Sequence, residues 1–181
     1  VTANPAPVFT INKTDVKCYG ENNGQIVFNV SNSNGYTLQY SINNGTSFVN
    51  TNTFSGLAPG TYPSLIRYTL GSAVCTSATG NIVIAQPLEA LTASGGVSEV
   101  ACDTNGGRGT IRITNPQGGV MPYVYNLGSG YSASNTRSVA PGTYTISIRD
   151  ANLCVYTMNV TVDPIPQMPT IGVQSPVFNC N

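Results

Sequence analysis

The sequence predicts an all-β chain of two tandem immunoglobulin-like antiparallel β-sandwich domains, and three observations carry that expectation. A corner hexapeptide occurs twice, as Leu57-Ala58-Pro59-Gly60-Thr61-Tyr62 and as Val139-Ala140-Pro141-Gly142-Thr143-Tyr144. Apolar residues alternate at period two around both copies, and no segment sustains a 3.6-residue apolar period, so helices should be absent or single turns. Asn-Gly pairs at Asn23-Gly24, Asn34-Gly35 and Asn44-Gly45 supply the turn chemistry of antiparallel hairpins.

Taken in order, residues 1–7 contain Pro5 and Pro7 and read as a linker, and Val8 to Ile11 form the first strand candidate. Ile26, Phe28 and Val30 share one face of the next strand. Tyr36, Leu38, Tyr40 and Ile42 alternate with polar neighbours, and Phe48 and Phe54 mark shorter, weaker strands. In each corner the Pro fixes φ, the Gly permits positive φ and the Tyr opens a β-like run. Tyr62 and Tyr144 are therefore expected to pack their rings on the core and return their hydroxyls to nearby backbone. The strand after Tyr62 runs through Tyr68 and carries Pro63, which implies an edge position or a bulge; Asn81 to Ala85 close the first half. The second half repeats the plan with Ile111 and Ile113, then Tyr123, Tyr125 and Leu127, then Tyr144, Ile146 and Ile148, then Tyr156, Met158, Val160 and Val162. These boundaries give domains 1–86 and 87–168. Residues 169–181 read as the start of a truncated third repeat, because Pro169 to Cys180 has the spacing of Pro7 to Cys18. A start at Val1 without Met or signal peptide fits an excised piece of something longer.

Composition narrows the partners. Charged residues make up 8% of the 181 residues with formal net charge zero, against about 25% in ordinary soluble domains. Seven Lys and Arg cannot build the basic stripe that nucleic acid demands, and no apolar run approaches the ~20 residues of a membrane span. Neither nucleic acid nor membrane insertion is expected. The 10 Tyr and the regular alternation argue against disorder despite so many polar residues.

In each half one Cys precedes the first long strand and another follows the corner strand, which pairs Cys18 with Cys75 and Cys102 with Cys154. Two intra-domain disulfides of this kind would tie an early turn to the turn before the final strand, closing loops of roughly 50 to 60 residues worth about 4 kcal/mol each. Reduced, separately buried thiols are the alternative; pairing of the four internal sulfurs across the two halves would undercut the repeated-module reading and the function drawn from it. Cys180 is left unpaired, its partner belonging to the truncated repeat. Paired cysteines place the chain outside a reducing cytosol.

Chemistry is sparse. The chain has no His, which excludes the triads built on it, and with no CxxC pair it lacks the ligand spacing of a zinc site. The carboxylates Asp15, Glu21, Glu89, Glu99, Asp103, Asp150 and Asp163 fall mostly in turns and linkers of both halves and read as solvated. Gly106-Gly107-Arg108-Gly109 lacks the Lys-Ser/Thr ending of a phosphate loop and opens a strand. Asp103-Thr104-Asn105 and Asp150-Ala151-Asn152 offer oxygens two residues apart, but an Asx-type turn explains both and the EF-hand spacing is missing. No enzyme activity, cofactor or metal is expected. Sequons at Asn12, Asn29, Asn44 and Asn159 matter only in a glycosylating host.

The ordered set of motifs resembles the SprB-type repeat of very large surface adhesins in gliding bacteria. The second half carries it best, through Cys102, Gly109, Met121-Pro122-Tyr123-Val124-Tyr125, Val139 to Tyr144 and Asp150-Ala151-Asn152-Leu153-Cys154, with Leu153 where the family usually has Gly. The first half keeps Cys18, Gly24, Leu38-Gln39-Tyr40, Leu57 to Tyr62 and Cys75, but Gly71-Ser72-Ala73-Val74 replaces the Asp-Ala-Asn turn. The resemblance implies an extracellular, cell-surface filament of tandem sandwiches without catalytic residues, exported by the secretion system of such bacteria and moved by a gliding motor. Its partners would be neighbouring repeats of the same chain, with surfaces or polysaccharide as further candidates. A competing expectation is a carbohydrate-binding module of a secreted protein, for which Tyr19 and Tyr131 are the freer aromatic residues.

Overall fold

A computed structural model of the chain describes residues 4–98 and 107–165. Glu99, Cys102, Asp103-Thr104-Asn105, Cys180 and the expected start of a third repeat at 169–181 lie outside the described residues.

The described residues contain strands and no helix. The first group is β1 (Val8–Thr14), β2 (Gly24–Asn32), β3 (Thr37–Ser41), β4 (Thr53–Leu57), β5 (Gly60–Leu70) and β6 (Ala73–Ile84). The second is β7 (Thr92–Ser98), β8 (Gly109–Gln117), β9 (Val124–Asn126), β10 (Tyr131–Ser132), β11 (Thr136–Val139), β12 (Gly142–Arg149) and β13 (Val155–Val162). All named strand pairs are antiparallel. The first group makes sheets β1-β2-β4 and β3-β5-β6; the second makes β7-β8-β11 and β13-β12-β9-β10. Set the two-residue β10 aside and the strand order is the same in both groups.

Each group encloses its own core. Ile26 and Phe28 of β2 meet Tyr40 of β3, Ile66 of β5 and Ile84 of β6 in one. Ile111 and Ile113 of β8 meet Ile146 and Ile148 of β12 and Val162 of β13 in the other. These are the period-two positions, so alternation in sequence becomes an inward face in space. Burying each such side chain contributes about 1.5–3 kcal/mol. We refer to the strands around one core as a unit.

The corner tyrosines behave as the sequence predicts. Tyr62 Oη donates to the Ala58 carbonyl and Tyr144 Oη to the Ala140 carbonyl, both at 2.8 Å, and both rings pack against their cores. Gly142 has φ of 150° and lies under the Tyr144 ring, where an added Cβ would sit 3.7 Å from the ring edge. Pro63 sits beside a register shift at Ser64/Leu65, where β5 has run past the end of β3. The bulge is therefore the correct alternative; β5 lies inside its sheet, not at an edge.

Three features depart from the sequence reading. Phe48 is not in a strand; it lies beside the isolated Tyr40–Val49 bridge with the Arg67 guanidinium 4.1 Å above its ring. β6 begins at Ala73, eight residues before the expected Asn81. β7 is masked in the sequence by Gly95-Gly96, which looks like a linker. A Cβ at Gly95 would fall 2.7 Å from Met158 Sδ and from Val160 Cγ2, so glycine here permits β7 to close on β13.

Candidate functional site at the junction of the two cores

The segment carrying Cys18 is fixed to the end of β6. Val16 N donates to the Ala85 carbonyl at 2.9 Å, and Asp15 Oδ1 accepts from Ala85 N at 2.9 Å and from Lys13 Nζ at 2.8 Å. Gly20 N donates to Gln86 Oε1 at 2.9 Å. The Lys13 ammonium, with the Ala85 amide, holds the Asp15 carboxyl below its ordinary 3.8.

This placement overturns the expected Cys18–Cys75 bond. Cys75 pairs with Tyr68 at the hairpin end of β5 and β6, whereas Cys18 lies beside the opposite end, where Gly60 pairs with Ile84. About nine residues of strand at ~3.3 Å each separate the two ends, roughly 30 Å, and a disulfide needs Cα atoms within about 7 Å. Cys18 is instead bonded to Cys154, with Cα–Cα 5.6 Å across a sequence separation of 136. The expected Cys102–Cys154 bond falls with it. Cys75 is a free, exposed thiol. Cys18 lies in an early turn and Cys154 just before the last strand of its unit, as expected, but Cys75 lies inside β6 and not in the turn before it, and the bond joins positions in different units.

The turn that presents Cys154 is built around Asp150, which is 2% exposed. Its Oδ1 accepts from Cys154 N at 2.8 Å and its Oδ2 from Val120 N at 2.9 Å, while Leu153 N donates to its carbonyl at 3.1 Å. Asp150 is thus a buried turn anchor, not the solvated carboxylate expected from its loop position. The Asx alternative holds here: both oxygens are engaged by backbone amides, and Asn152 Nδ2 donates across the junction to the Lys17 carbonyl at 2.9 Å. Among the described residues no three His, Cys, Asp or Glu side chains gather as a metal site would. Leu153 takes φ of 72°, a left-handed conformation that a branched side chain resists. It stands where the resembled repeat has Gly.

A cleft of about 360 Å³ lies over the disulfide, lined by Tyr19, Glu21, Leu91, Leu153 and Val155 among others. Tyr19 is half exposed there. Tyr131 is not a free platform: the Arg149 guanidinium lies 4.1 Å over its ring, and its hydroxyl shares a 3.1 Å hydrogen bond with Ser147 Oγ. The two aromatic residues do not both line this cleft.

Sequence reasoning missed a further pair of equivalent residues. Asn52 Nδ2 donates to the Phe28 carbonyl at 2.9 Å, and Asn135 Nδ2 to the Ile113 carbonyl at 3.0 Å. Their own carbonyls accept from Phe28 N and Ile113 N, both at 2.9 Å. Each Asn locks the approach to the corner onto the second strand of its unit. The signal was available as Asn52-Thr53-Phe54-Ser55 and Asn135-Thr136-Arg137-Ser138, each just ahead of its corner.

No protein-family model matches the chain, and no curated protein sequence matches it. No helix among the described residues is long and apolar enough to cross a membrane.

Proposed function

We propose that the chain is a non-enzymatic structural segment of an extracellular, tandem-repeat surface fibre, of the gliding-adhesin kind that its motifs resemble. In this reading residues 1–86 and 87–168 are two immunoglobulin-like domains. The observation that carries it is the same strand order around two separate cores. A sheet of first, second and fourth strands opposite one of third, fifth and sixth corresponds to an immunoglobulin-type sandwich without its D strand, and the corner Tyr opens the strand equivalent to F. The Cys18–Cys154 bond between units counts against this reading, which expected each bond inside one module. Repeated topology, paired corners and the disulfide's preference for an oxidising compartment remain.

Surface fibres need reach and resistance to pulling more than a reactive cleft, and stacked like units supply both. The test is labelling of unpermeabilised source cells with antibody raised against the chain. Extended surface fibres should stain; staining only after permeabilisation refutes the reading. The carbohydrate-binding alternative predicts glycan-array signal that Tyr19→Ala abolishes.

A further inference from the structure

We propose that Arg149 and Tyr131 form a carboxylate-binding site on the outward face of β9, β12 and β13, and that its ligand is a uronate residue of an acidic polysaccharide. The site would give the proposed fibre a surface contact, but its chemistry does not rest on the fibre reading.

The two units serve as each other's comparison. Arg67 is the fifth residue after the corner Tyr62, and Arg149 is the fifth after Tyr144. Each follows a residue buried in its core, Ile66 or Ile148, and so points outward. Each guanidinium also stands 4.1 Å from the centroid of an aromatic ring, Phe48 in the first unit and Tyr131 in the second. They part at the cross-strand neighbour. Arg67 pairs with Gln39 of β3, whose Oε1 accepts from Nε at 3.0 Å and from Nη2 at 2.6 Å. Arg149 pairs with Val124 of β9, which has no side-chain acceptor to offer. Among the described residues Arg149 Nε is accordingly buried without a hydrogen-bond partner. In the first unit the guanidinium braces β5 to β3. In the second that brace is missing while the stacked ring remains, so the cation is held in place with its donors uncommitted.

No acid among the described residues fills the gap. Asp150 follows Arg149 in sequence, but its two oxygens accept from Cys154 N and Val120 N, and the one salt bridge is Lys13 to Asp15. The ring is fixed as well. Tyr131 pairs with Asn126, whose Oδ1 accepts from Gly128 N and Gly130 N at 2.9 and 3.1 Å and so closes the turn that presents it. Its hydroxyl shares the bond to Ser147 Oγ on β12. A planar cation preorganised in this way matches a carboxylate, whose two oxygens can take a guanidinium fork together. The rest of the outward face of β12 and β13 is neutral, with Thr143, Thr145, Thr157, Asn159 and Thr161 supplying hydroxyl and amide groups. One cation beside neutral polar groups complements a polymer that carries one carboxylate among many hydroxyls. An acidic peptide, with repeated charge and few hydroxyls, matches this face less well.

The test titrates hexagalacturonate into the full chain and follows backbone amide resonances by NMR. Saturable shifts confined to Arg149, Ser147, Thr157 and their neighbours are expected, with none around Arg67, where Gln39 already holds the guanidinium. Val124→Gln gives the second unit the first unit's acceptor and should weaken binding by at least about tenfold, the loss expected when a charge-assisted contact is blocked; Arg149→Gln should do the same. Gln39→Val should open a second site at Arg67. The methyl-esterified hexamer keeps the hydroxyls, loses the charge and should bind at least about tenfold more weakly. Absence of saturable shifts, shifts centred elsewhere, binding that survives both Val124→Gln and Arg149→Gln in folded protein, or equal binding of the ester or of hexaglutamate would overturn the proposal. None of these outcomes alters the surface staining expected of the fibre, so the site can fail while that reading stands.

Discussion

Tension offers the sharpest test of the junction. When the chain is pulled from its two ends, the Cys18–Cys154 bond carries the load past everything between those residues. Only the segments outside it, with β1 on one side and β13 on the other, bear force directly. The shielded length is 136 residues by sequence separation, which at up to ~3.6 Å per residue amounts to roughly 490 Å of contour. With the bond intact, stretching in an optical trap should release less than about 100 Å from the described ends, however far the cores are loosened. Cys18→Ser/Cys154→Ser, or a reducing buffer, should add the missing ~490 Å as the two cores rupture. Full-length extension of the oxidised chain, with the bond verified by mass spectrometry in the same preparation, would refute the mechanical reading. So would an unchanged extension after reduction.

Three further outcomes follow from individual residues. Tyr62→Phe and Tyr144→Phe each remove one hydroxyl-to-carbonyl bond in an exposed corner that water can partly repair, so each should cost about 1 kcal/mol in urea unfolding. Asp150→Ala leaves the Val120 and Cys154 amides without their acceptor in a buried turn and should cost about 3 kcal/mol by the same assay, with slower recovery of the Cys18–Cys154 bond on reoxidation. Asp15 binds its proton less readily folded than unfolded, so its contribution is present above the ordinary carboxylate pKa and disappears as pH falls through the lowered folded value. Asp15→Asn should therefore be less stable than wild type at neutral pH and indistinguishable from it at strongly acidic pH; a constant difference in unfolding midpoint across that range would exclude this account.

Much of the fold was legible because burial is written at period two. Ile26 and Phe28, Ile111 and Ile113, and Ile146 and Ile148 could be assigned inward without coordinates. The corners were legible because Pro, Gly and Tyr each have a separate physical task there. β7 was not, since the glycine that lets it approach Met158 and Val160 looks in sequence like a chain break. Asp150 differs for a related reason: a turn residue is usually wet, but here Gly119 packs directly on it, where an added Cβ would stand 2.7 Å from its carboxylate. Cysteine spacing placed Cys18 in an early turn and Cys154 ahead of a final strand correctly, but not Cys75, which lies inside β6. It could not say which unit each partner belongs to, because Cys18 and Cys75 sit at opposite poles of the first unit and Cys18 meets Cys154 only where the two units stack.

That opposition of poles bears on why the junction is covalent. With 8% charged residues the chain has few ion pairs to spend on orientation. Among the described residues the one salt bridge, Lys13 to Asp15 at 2.8 Å, fixes the Cys18 segment within its own unit and does not cross the junction. Among the described residues a side-chain hydrogen bond from Asn152 to the Lys17 carbonyl does cross it, and one such bond is worth only about 1 kcal/mol net. Two units joined by the chain alone at residues 85–91 would share a hinge. A second connection at Cys18–Cys154 leaves that hinge far fewer allowed rotations, which resists bending without a large apolar interface or paired charges. Stiffness obtained this way depends on redox state rather than on ionic strength, so the junction should hold its geometry across salt concentrations and lose it on reduction.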